Sequence, residues 1–451
     1  MKSSIQIRLA AFRKALSRPV FGAAKGTKRH SRERGVALIM VVTTIAVLTA
    51  VAVDFQYNSS VDLQLAANAR DELRAEYLAR SAINMSRLLL RFQKQLDGQA
   101  QNLGPLMAQM GMPGGGAGLN IRLWDVVPID CSLFTMVLGG MATSSKDSKS
   151  DAPAFGDTGG VKFGGALPGK GEKGAVENFG DFEGCFHAEL GDEEQKVNIA
   201  KLNNGAISGQ AAMKQALLLV ANPKFDWIFE KSDANGVKMT AQETLIALHD
   251  WIDERDSQAT LNITGTGDPF PDGFGDENRN YSRYPHRYKA KNAAFDSLDE
   301  LYQVDGVTDK FMAAFRDRVT VYVDKNEKIN INTTDPIQQY VNIASVAANE
   351  NDPKLQNPLV IQSILQEISY AKMFMPFMGM SVMQFIGIVE KNGVIIKPEI
   401  KTAGANNAYV TDKSKTFSIK ATGSAGRVEK TITAVVRSNE GLGKVLYYRE
   451  E

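Results

Sequence analysis

An uncharged segment near the N-terminus decides the architecture: residues 31–54 read SRERGVALIMVVTTIAVLTAVAVD. From Val36 to Val53 the chain has eighteen residues without a charge. Because an α-helix rises about 1.5 Å per residue, this segment is about long enough to cross the apolar core of a bilayer. The sequence therefore predicts one membrane-spanning helix, which we place at residues 36–55.

The segment before this helix, residues 1–34, is strongly basic, with ten Lys and Arg residues against one acid, Glu33. Basic residues flanking a membrane helix stay on the cytoplasmic side, so the chain after Asp54 is predicted to cross the membrane. A second interpretation stays open. An Ala-x-Ala sequence at Ala50–Ala52 matches a signal-peptidase site, and cleavage there would release the rest of the chain.

The helix is predicted to continue well beyond the uncharged segment. No Gly or Pro interrupts residues 36–96. After Leu65, apolar residues recur at spacings of three and four with charged residues between them, which is typical of an amphipathic helix. We predict a single helix over residues 36–97 that ends at Asp97–Gly98, with its second half lying against a globular domain.

Composition and motifs argue against several functional classes. The chain has 52 Lys plus Arg and 51 Asp plus Glu, a formal net charge of +1, whereas binding to nucleic acid backbones needs an excess of basic residues. The sequence contains neither a His-Glu-x-x-His nor a Gly-x-Ser-x-Gly motif, and it has no Gly-rich phosphate loop. We therefore expect no enzyme and no nucleic acid partner.

The chain has two cysteines, Cys131 and Cys185, which is the number needed for one disulfide. Both follow the predicted membrane span and fall on its far, oxidising side. A Cys131–Cys185 disulfide is therefore predicted.

Residues 32–42 carry a resemblance to a known family. RERG followed by VALIMVV resembles the leader of type IV pilin-like proteins, in which a prepilin peptidase cuts after Gly and methylates the new N-terminus. The resemblance implies that Gly35 is the last leader residue and Val36 the first mature one. Most such proteins have Glu at the fifth mature position, but here that position is Met40. This departure is typical of the minor pseudopilin K family of type II secretion systems.

Blocks within residues 190–335 resemble the same family in the same order. They are DEEQKVNI (192–199), LHDWIDERD (248–256), DENRNY (276–281), RYKAKNAAFDSLDEL (287–301), VTVY (319–322) and ININT (329–333). The resemblance implies an α+β fold, in which a long N-terminal transmembrane and amphipathic helix precedes a pilin-like antiparallel sheet domain with an inserted all-α domain. Residues 100–180 and 340–412 match nothing in the family.

The predicted domain bounds follow from these blocks and from composition. They are a basic prepilin leader at 1–35, the N-terminal helix at 36–97, the first part of the pilin-like domain with long loops at 98–202, an inserted α-helical domain at 203–310, and the second part of the pilin-like domain at 311–451. A short internal echo supports the insertion, because EEQKVNI (193–199) and KNEKINI (325–331) flank the helical block. We expect these two strands to pair side by side.

A calcium site is predicted in the Gly- and Pro-rich loop that follows residue 267. Its predicted ligands are Asp268, Asp272, Asp276, Glu277 and Asn278. Hard oxygen ligands on a flexible loop suit Ca²⁺, and so many carboxylates repel one another unless they are neutralised. The resemblance also implies calcium, although a solvated acidic loop is an alternative. Asp250, Asp253 and Asp256, spaced by three, are either further ligands or the polar side of a helix.

The function that the resemblance implies is a minor pseudopilin that helps to initiate the periplasmic pseudopilus and forms its tip complex. Its partners would be the minor pseudopilins I and J, other pseudopilins and the prepilin peptidase. It would span the bacterial inner membrane once, with the leader cytoplasmic and the C-terminal domain periplasmic. Whether it contacts secreted substrates stays open.

Two other functions remain alternatives. One is a periplasmic enzyme or binding protein released after Ala52. The other is a membrane-anchored DNA-uptake protein in which LYQVDGV (301–307) acts as a helix-hairpin-helix turn, although the absence of an adjoining basic cluster favours a packing turn.

Overall fold

The computed structural model describes residues 34–109, 122–131, 178–179, 182–204, 206–230, 232, 236, 238–264, 267–349, 352–374, 378–403, 407, 409–439, 441 and 443–451. The chain divides into two compact units, residues 1–67 and 68–451. Most of the predicted leader, and the greater part of the predicted loops between 98 and 180, lie outside the described residues.

The described elements alternate between helices and short strands. The helices are α1 (Arg34–Gln109), α2 (Leu123–Val126), α3 (Ala206–Val220), α4 (Asp226–Phe229), α5 (Ala241–Asp250), α6 (Asp309–Phe315), α7 (Pro336–Val346), α8 (Pro353–Gln356), α9 (Pro358–Phe374), α10 (Val382–Lys391) and α11 (Pro398–Ala403). The strands are β1 (Ile129–Asp130), β2 (Asn178–Phe179), β3 (Phe182–Glu183), β4 (Cys185–Asp192), β5 (Val197–Asn198), β6 (Ser257–Ala259), β7 (Asp272–Asp276), β8 (Val319–Thr320), β9 (Ile329–Asn330), β10 (Val410–Thr411), β11 (Thr416–Ala425), β12 (Val428–Arg437) and β13 (Lys444–Glu450). Short 3₁₀ turns lie at Glu193–Gln195, Ile199–Asn203, Pro223–Phe225, Glu277–Arg279, Tyr281–Arg283 and Leu298–Gln303.

Helix α1 exposes an apolar surface over its first turns. All the large apolar side chains from Val36 to Val53 are more than half exposed, including Met40 at 64%. By length and composition the helix is able to cross a membrane. The predicted end at Asp97–Gly98 was too early, because Gly98 lies inside the helix. A single Gly costs a helix only about 1 kcal/mol relative to Ala, so it need not end one.

A five-stranded antiparallel sheet, in the order β1-β4-β11-β12-β13, forms one core with the second part of α1. The helix contributes a face of small and aliphatic side chains, and the sheet contributes the inward-pointing residues of its strands. The buried members are Ala75, Leu78, Ala79, Ala82, Ile83, Ile129, Cys131, Phe186, Ala188, Ile419, Ala421, Ala425, Ile432, Ala434 and Val436. The alternation of buried and exposed positions along β11 and β12 fixes which face of the sheet meets the helix.

Gly423 marks the closest approach of helix and sheet. A Cβ atom at this position would lie 2.0 Å from the carbonyl oxygen of Ala75 and 2.6 Å from the backbone nitrogen of Ala79. Both obstacles are backbone atoms, so a side chain here would force β11 away from α1.

Gly423→Ala is therefore expected to lower the free energy of unfolding by about 1–3 kcal/mol, the usual range for overpacking. Urea unfolding of a fragment covering residues 68–451 measures this change. Gly387→Ala in α10 is the matched control. A Cβ at Gly387 meets nothing within 4 Å, so this change is expected to stabilise by about 0.5–1 kcal/mol. An unchanged midpoint for Gly423→Ala would contradict the close packing.

The second core is formed by the long chain segment that connects two neighbouring strands of the sheet. β4 and β11 pair directly, with Asp192 opposite Phe417, yet the chain between them forms most of the helices. The buried cluster of this part runs from Val197 to Val410. The inserted domain was predicted at 203–310, but its core extends further, because α7, α9 and α10 add their apolar faces to the same cluster.

The two echo segments do not pair with each other, so that expectation was wrong. β5 pairs in parallel with β8, and β9 pairs in parallel with β10. The shared Asn has a local role instead. Asn198 Oδ1 accepts a hydrogen bond from the Ala200 amide (3.0 Å), and Asn330 Oδ1 accepts one from the Asn332 amide (2.9 Å). The two similar sequences therefore form the same local structure, a short strand followed by a turn, and do not form a strand pair.

Two buried acids connect the start and the end of the insertion. Asp192 Oδ2 accepts a hydrogen bond from the Ser414 hydroxyl (2.6 Å), and Glu194 Oε1 accepts from the amides of Lys415 and Thr416 (2.9 Å each). Burial raises the pKa of Asp192 to about 6 and that of Glu194 to about 8. The chain thus leaves β4 and returns to β11 through one polar cluster.

Candidate metal centre

The most unusual polar cluster of the described chain lies at the end of α5. This helix begins with a capping box, in which the Thr240 hydroxyl accepts from the Glu243 amide and the Glu243 carboxylate accepts from the Thr240 amide. The cap fixes the start of the helix, and the helix ends at Asp250. Asp250 and Asp253 are both almost completely buried, at 4% and 2% exposure.

Glu277 faces the same region from the 3₁₀ turn that follows β7. It is 4% exposed, and its Oε1 and Oε2 atoms make no hydrogen bond of good geometry among the residues that the structure describes, although the Asn292 side chain lies close enough to lower its pKa slightly. Burial, followed by the charges of Asp250, Asp253 and Asp256, raises the pKa of Glu277 to about 7. A buried carboxylate is strongly disfavoured, and either protonation, which the raised pKa favours, or a bound cation would relieve it.

His249 completes the buried cluster. Its ring stacks on Phe270 with centroids 4.1 Å apart, and its Nδ1 atom lies 3.3 Å from Asp250 Oδ1 and 3.6 Å from Asp253 Oδ2. One ligand atom from each of these three residues lies within 4.8 Å of the others. Arg255 also belongs to this cluster, because its Nε atom donates to Asp253 Oδ2 at 2.7 Å and its charge offsets the repulsion between the two aspartates.

Asn292 supplies a further unsatisfied oxygen near these acids. It has a positive φ of 51°, and its Nδ2 atom donates to the Arg255 carbonyl (3.3 Å) and to Asp256 Oδ1 (3.4 Å). Its Oδ1 atom is buried and has no hydrogen-bond partner within the described part of the chain. A strained non-Gly backbone beside a cluster of acids is typical of a functional or ligand-binding position.

Most of the five predicted loop ligands have other roles in the structure. Asp272 pairs with Arg255 at 2.7 Å, and Asp268 Oδ1 accepts from the Phe270 amide at 3.0 Å. Asp276 Oδ1 accepts from the Asn278 amide at 2.9 Å, and Asn278 Oδ1 accepts from the Ala290 amide at 2.9 Å. Of the five, only Glu277 is buried beside the acids of the 250–256 segment.

A cavity of about 260 Å³ adjoins the cluster, and Asp250, Glu277 and Asn280 are among its lining residues. The donors around it are mainly carboxylate and amide oxygens, which are the ligands that Ca²⁺ prefers. Asp250 and Glu277 are the cavity carboxylates that could hold a calcium ion, with Asp256 and Asn292 nearby, whereas Asp253 is paired with Arg255 at 2.7 Å. The signal in the sequence was the spacing of the three aspartates, but spacing alone does not distinguish a ligand set from the polar side of a helix.

The turn at Val304–Val307 faces the protein interior. Asp305 is 1% exposed and accepts hydrogen bonds from Arg283 Nη2 (3.1 Å) and the Tyr284 hydroxyl (3.0 Å). Gly306 has φ 84°, and a Cβ there would lie 2.9 Å from Met239 Sδ. A buried acid in the turn opposes phosphate binding, so the geometry favours a packing turn over a DNA contact.

The structure joins Cys131 and Cys185 in a disulfide with Cα atoms 5.6 Å apart. Cys131 directly follows β1 and Cys185 begins β4, so the bond fastens the two-residue edge strand to the sheet. At the other end of the described chain, Gly35 has no neighbouring atom within 4 Å of an added Cβ, and Val36 is 56% exposed. The residues of the predicted cleavage site are thus accessible.

Comparison with known proteins found similarity among solved structures. No family model matches the chain, and a search of curated proteins also found no match. Among solved structures, the chain is similar to a chain in the crystal structure of the GspK-GspI-GspJ complex from the enterotoxigenic Escherichia coli type 2 secretion system. The two are 16% identical, with a TM-score of 0.40, and the match covers 59% of this chain and 80% of that one. The long apolar N-terminal helix, the antiparallel sheet and the additional helices confirm the predicted α+β fold.

Proposed function

We propose that this chain is a membrane-anchored minor pseudopilin of a type II secretion system that acts at the tip of the periplasmic pseudopilus. The observation that carries the proposal is helix α1. Its residues 36–53 expose apolar side chains continuously, and residues 75–90 of the same helix bury a face of small residues against an antiparallel sheet. An apolar helical anchor followed by a helix-on-sheet domain is what a pilin-like subunit requires.

The fifth mature position supports a place at the tip. In pilin-like filaments an acid at this position, buried in lipid, is neutralised by the N-terminal amine of a neighbouring subunit. A buried charge without a partner costs several kcal/mol, so a subunit with the acid must dock beside another. Met40 carries no charge and has no such requirement. The large insertion between β4 and β11 would also obstruct a subunit stacked above this one.

The proposed partners follow from the sequence blocks that resemble the pseudopilin K family. They are the minor pseudopilins I and J, which together with this chain would start assembly and cap the fibre, and other pseudopilins in the filament below. The prepilin peptidase would process the leader in the bacterial inner membrane. We propose a structural role without catalysis.

Calcium is proposed as a structural ion of the inserted domain. It would bind at Glu277 and the acids of the 250–256 segment, where it would neutralise the buried carboxylates. The ion would then connect the end of α5 to the chain after β7, which are separated in sequence but adjacent in the fold.

The proposal predicts a defined N-terminus and defined partners. In cells with a type II secretion system, mature protein should begin at N-methylated Val36, and the minor pseudopilins I and J should copurify with it after crosslinking. Gly35→Val should keep the leader and abolish this copurification, because an uncleaved leader holds the helix out of the filament. Mass spectrometry of the purified protein identifies both its N-terminus and the proteins that copurify with it.

Gly98→Val is the matched control, since it lies in the same helix and a Cβ there also meets nothing within 4 Å. It should be processed like the wild type. A mature terminus at Val53 would overturn both the pilin-like processing and the tip role. Correct processing without copurification of I and J would overturn the tip role alone.

A further inference from the structure

A half-open cavity lies among three helices of the inserted domain, and it shares no lining residue with the proposed metal site. It has a volume of about 530 Å³ and is lined by α3, the turn after it, the first turns of α7, and α9. Its apolar lining residues include Met213, Leu217, Ile263, Ile337, Ile361 and Leu365. Met213 is fully buried, so it lies deepest. The volume falls within the range of roughly 300–1,000 Å³ that is usual for small-molecule sites.

The charged residues of this cavity are of one sign. Lys214 and Lys224 line it, and none of the described residues around it is Asp or Glu. Tyr340 is a further lining residue and is about half buried, and its hydroxyl makes no hydrogen bond to any residue that the structure describes. The polar part of the site therefore offers donors and positive charge, which complement an anionic group.

These two properties together define a ligand class. An apolar surface of this extent favours an alkyl chain, and burying such a chain contributes about 25 cal/mol per Å² of apolar surface removed from water. Lys224 and the tyrosine hydroxyl favour an acid at one end of that chain. The size of the cavity matches a single small molecule, whereas a partner helix requires an extended groove along several turns.

We propose that this cavity binds a single-chain anionic amphiphile, namely a free long-chain fatty acid. Its alkyl chain would lie against Leu217, Ile337 and Ile361. Its carboxylate would accept a hydrogen bond from the Tyr340 hydroxyl and pair with Lys224. This binding site is independent of the proposed metal and of the proposed place in the pseudopilus.

Photocrosslinking of the full chain tests the proposal. The protein is reconstituted in nanodiscs of zwitterionic lipid and exposed to a palmitic acid analogue that carries a diazirine and an alkyne. Crosslinked peptides are identified by mass spectrometry. Labels are expected to concentrate in peptides covering residues 213–224 and 336–365. Excess palmitate should compete, whereas hexadecanol and hexadecyltrimethylammonium should not, because they lack the acid.

Variants of the lining residues sharpen this test. Lys224→Glu replaces attraction with repulsion and should reduce labelling about fivefold, the effect of one exposed charge pair. Leu217→Trp should fill the cavity and abolish labelling. Lys310→Glu is the matched control, because Lys310 is an exposed lysine that does not line this cavity, and it should be labelled like the wild type. Circular dichroism melting of each variant confirms that it is folded.

Several results would overturn the proposal. Equal competition by hexadecanol would show that the acid is not recognised. Labelling that is spread along the chain, or that survives Leu217→Trp in folded protein, would show that the cavity is not the site. Competition by lysophosphatidate but not by palmitate would assign the cavity to a lipid phosphate instead of a fatty acid. A protein-sized adduct from benzoylphenylalanine placed at residue 218 in cells would assign it to a protein partner.

Discussion

Loss of the Cys131–Cys185 disulfide is expected to lower the free energy of unfolding by about 4 kcal/mol. The two residues are 54 positions apart, and in the chain-entropy model the bond removes loop-closure entropy of this size from the unfolded chain. The native state is affected as well. β1 has only two residues and lies at the edge of the sheet, so the disulfide is its main attachment to β4.

Urea unfolding of the 68–451 fragment measures this effect. The double variant Cys131→Ala with Cys185→Ala is compared with the wild type, and the wild type is also unfolded in the presence of reductant. The variant and the reduced protein should lose similar stability, because both lack the bond. Labelling of both cysteines by a thiol reagent in native, unreduced protein would contradict the disulfide.

Removal of calcium is the second change with a large expected effect. A ligand that binds only the folded state stabilises it by about 2.7 kcal/mol at a hundredfold excess over Kd. The 68–451 fragment should therefore melt at a lower temperature in chelator than in calcium. Without the ion, Glu277 lies buried near the charges of Asp250 and Asp253, which raise its pKa, so this segment should loosen first.

Glu277→Gln separates the role of the charge from that of the shape. The neutral amide removes a ligand and also removes the unpaired buried charge. The variant should therefore lose most of the calcium response, and in chelator it should be at least as stable as the wild type. Glu254→Gln, one residue from Asp253 but exposed, is the matched control and should keep the full response.

Asp272→Asn distinguishes the buried ligand set from the loop set predicted by sequence. Asp272 is already paired with Arg255, so this change should leave the calcium response nearly intact. A response lost in Asp272→Asn but kept in Glu277→Gln would support the loop set. Identical melting curves for the wild type in calcium and in chelator would contradict a structural metal site altogether.

Much of the sheet domain could be predicted because short stretches of sequence determine its helix and its strands. The uncharged run after Gly35 and the spacing of apolar residues after Leu65 determine one helix. Residues 416–422 and 429–437 carry strand signals of their own, and the structure has β11 at Thr416–Ala425 and β12 at Val428–Arg437. Period-two patterns in adjacent segments predict such a hairpin without knowledge of the rest of the chain.

The extent of the insertion was harder to predict because it depends on which segments pack into the same hydrophobic core. Helices α7, α9 and α10 have apolar faces of their own, but nothing in their sequence shows which core they join. The candidate site poses the same difficulty. Acids that are dense in the sequence at 268–278 mostly bind backbone amides or Arg255, whereas Asp250 and Asp253 become buried only when β7 and the following turn pack beside them.

The way in which the insertion joins the sheet affects how such a protein can evolve. The chain leaves the sheet at Asp192 and re-enters it at Phe417, and these two residues face each other across one antiparallel pair. A short turn between the same two positions would close an ordinary hairpin and leave every other strand register as it is. The helical body can therefore be enlarged or reshaped while the strand registers stay the same, although its contacts with β13, such as Asp299 with Arg449 at 2.9 Å, would have to be kept or replaced.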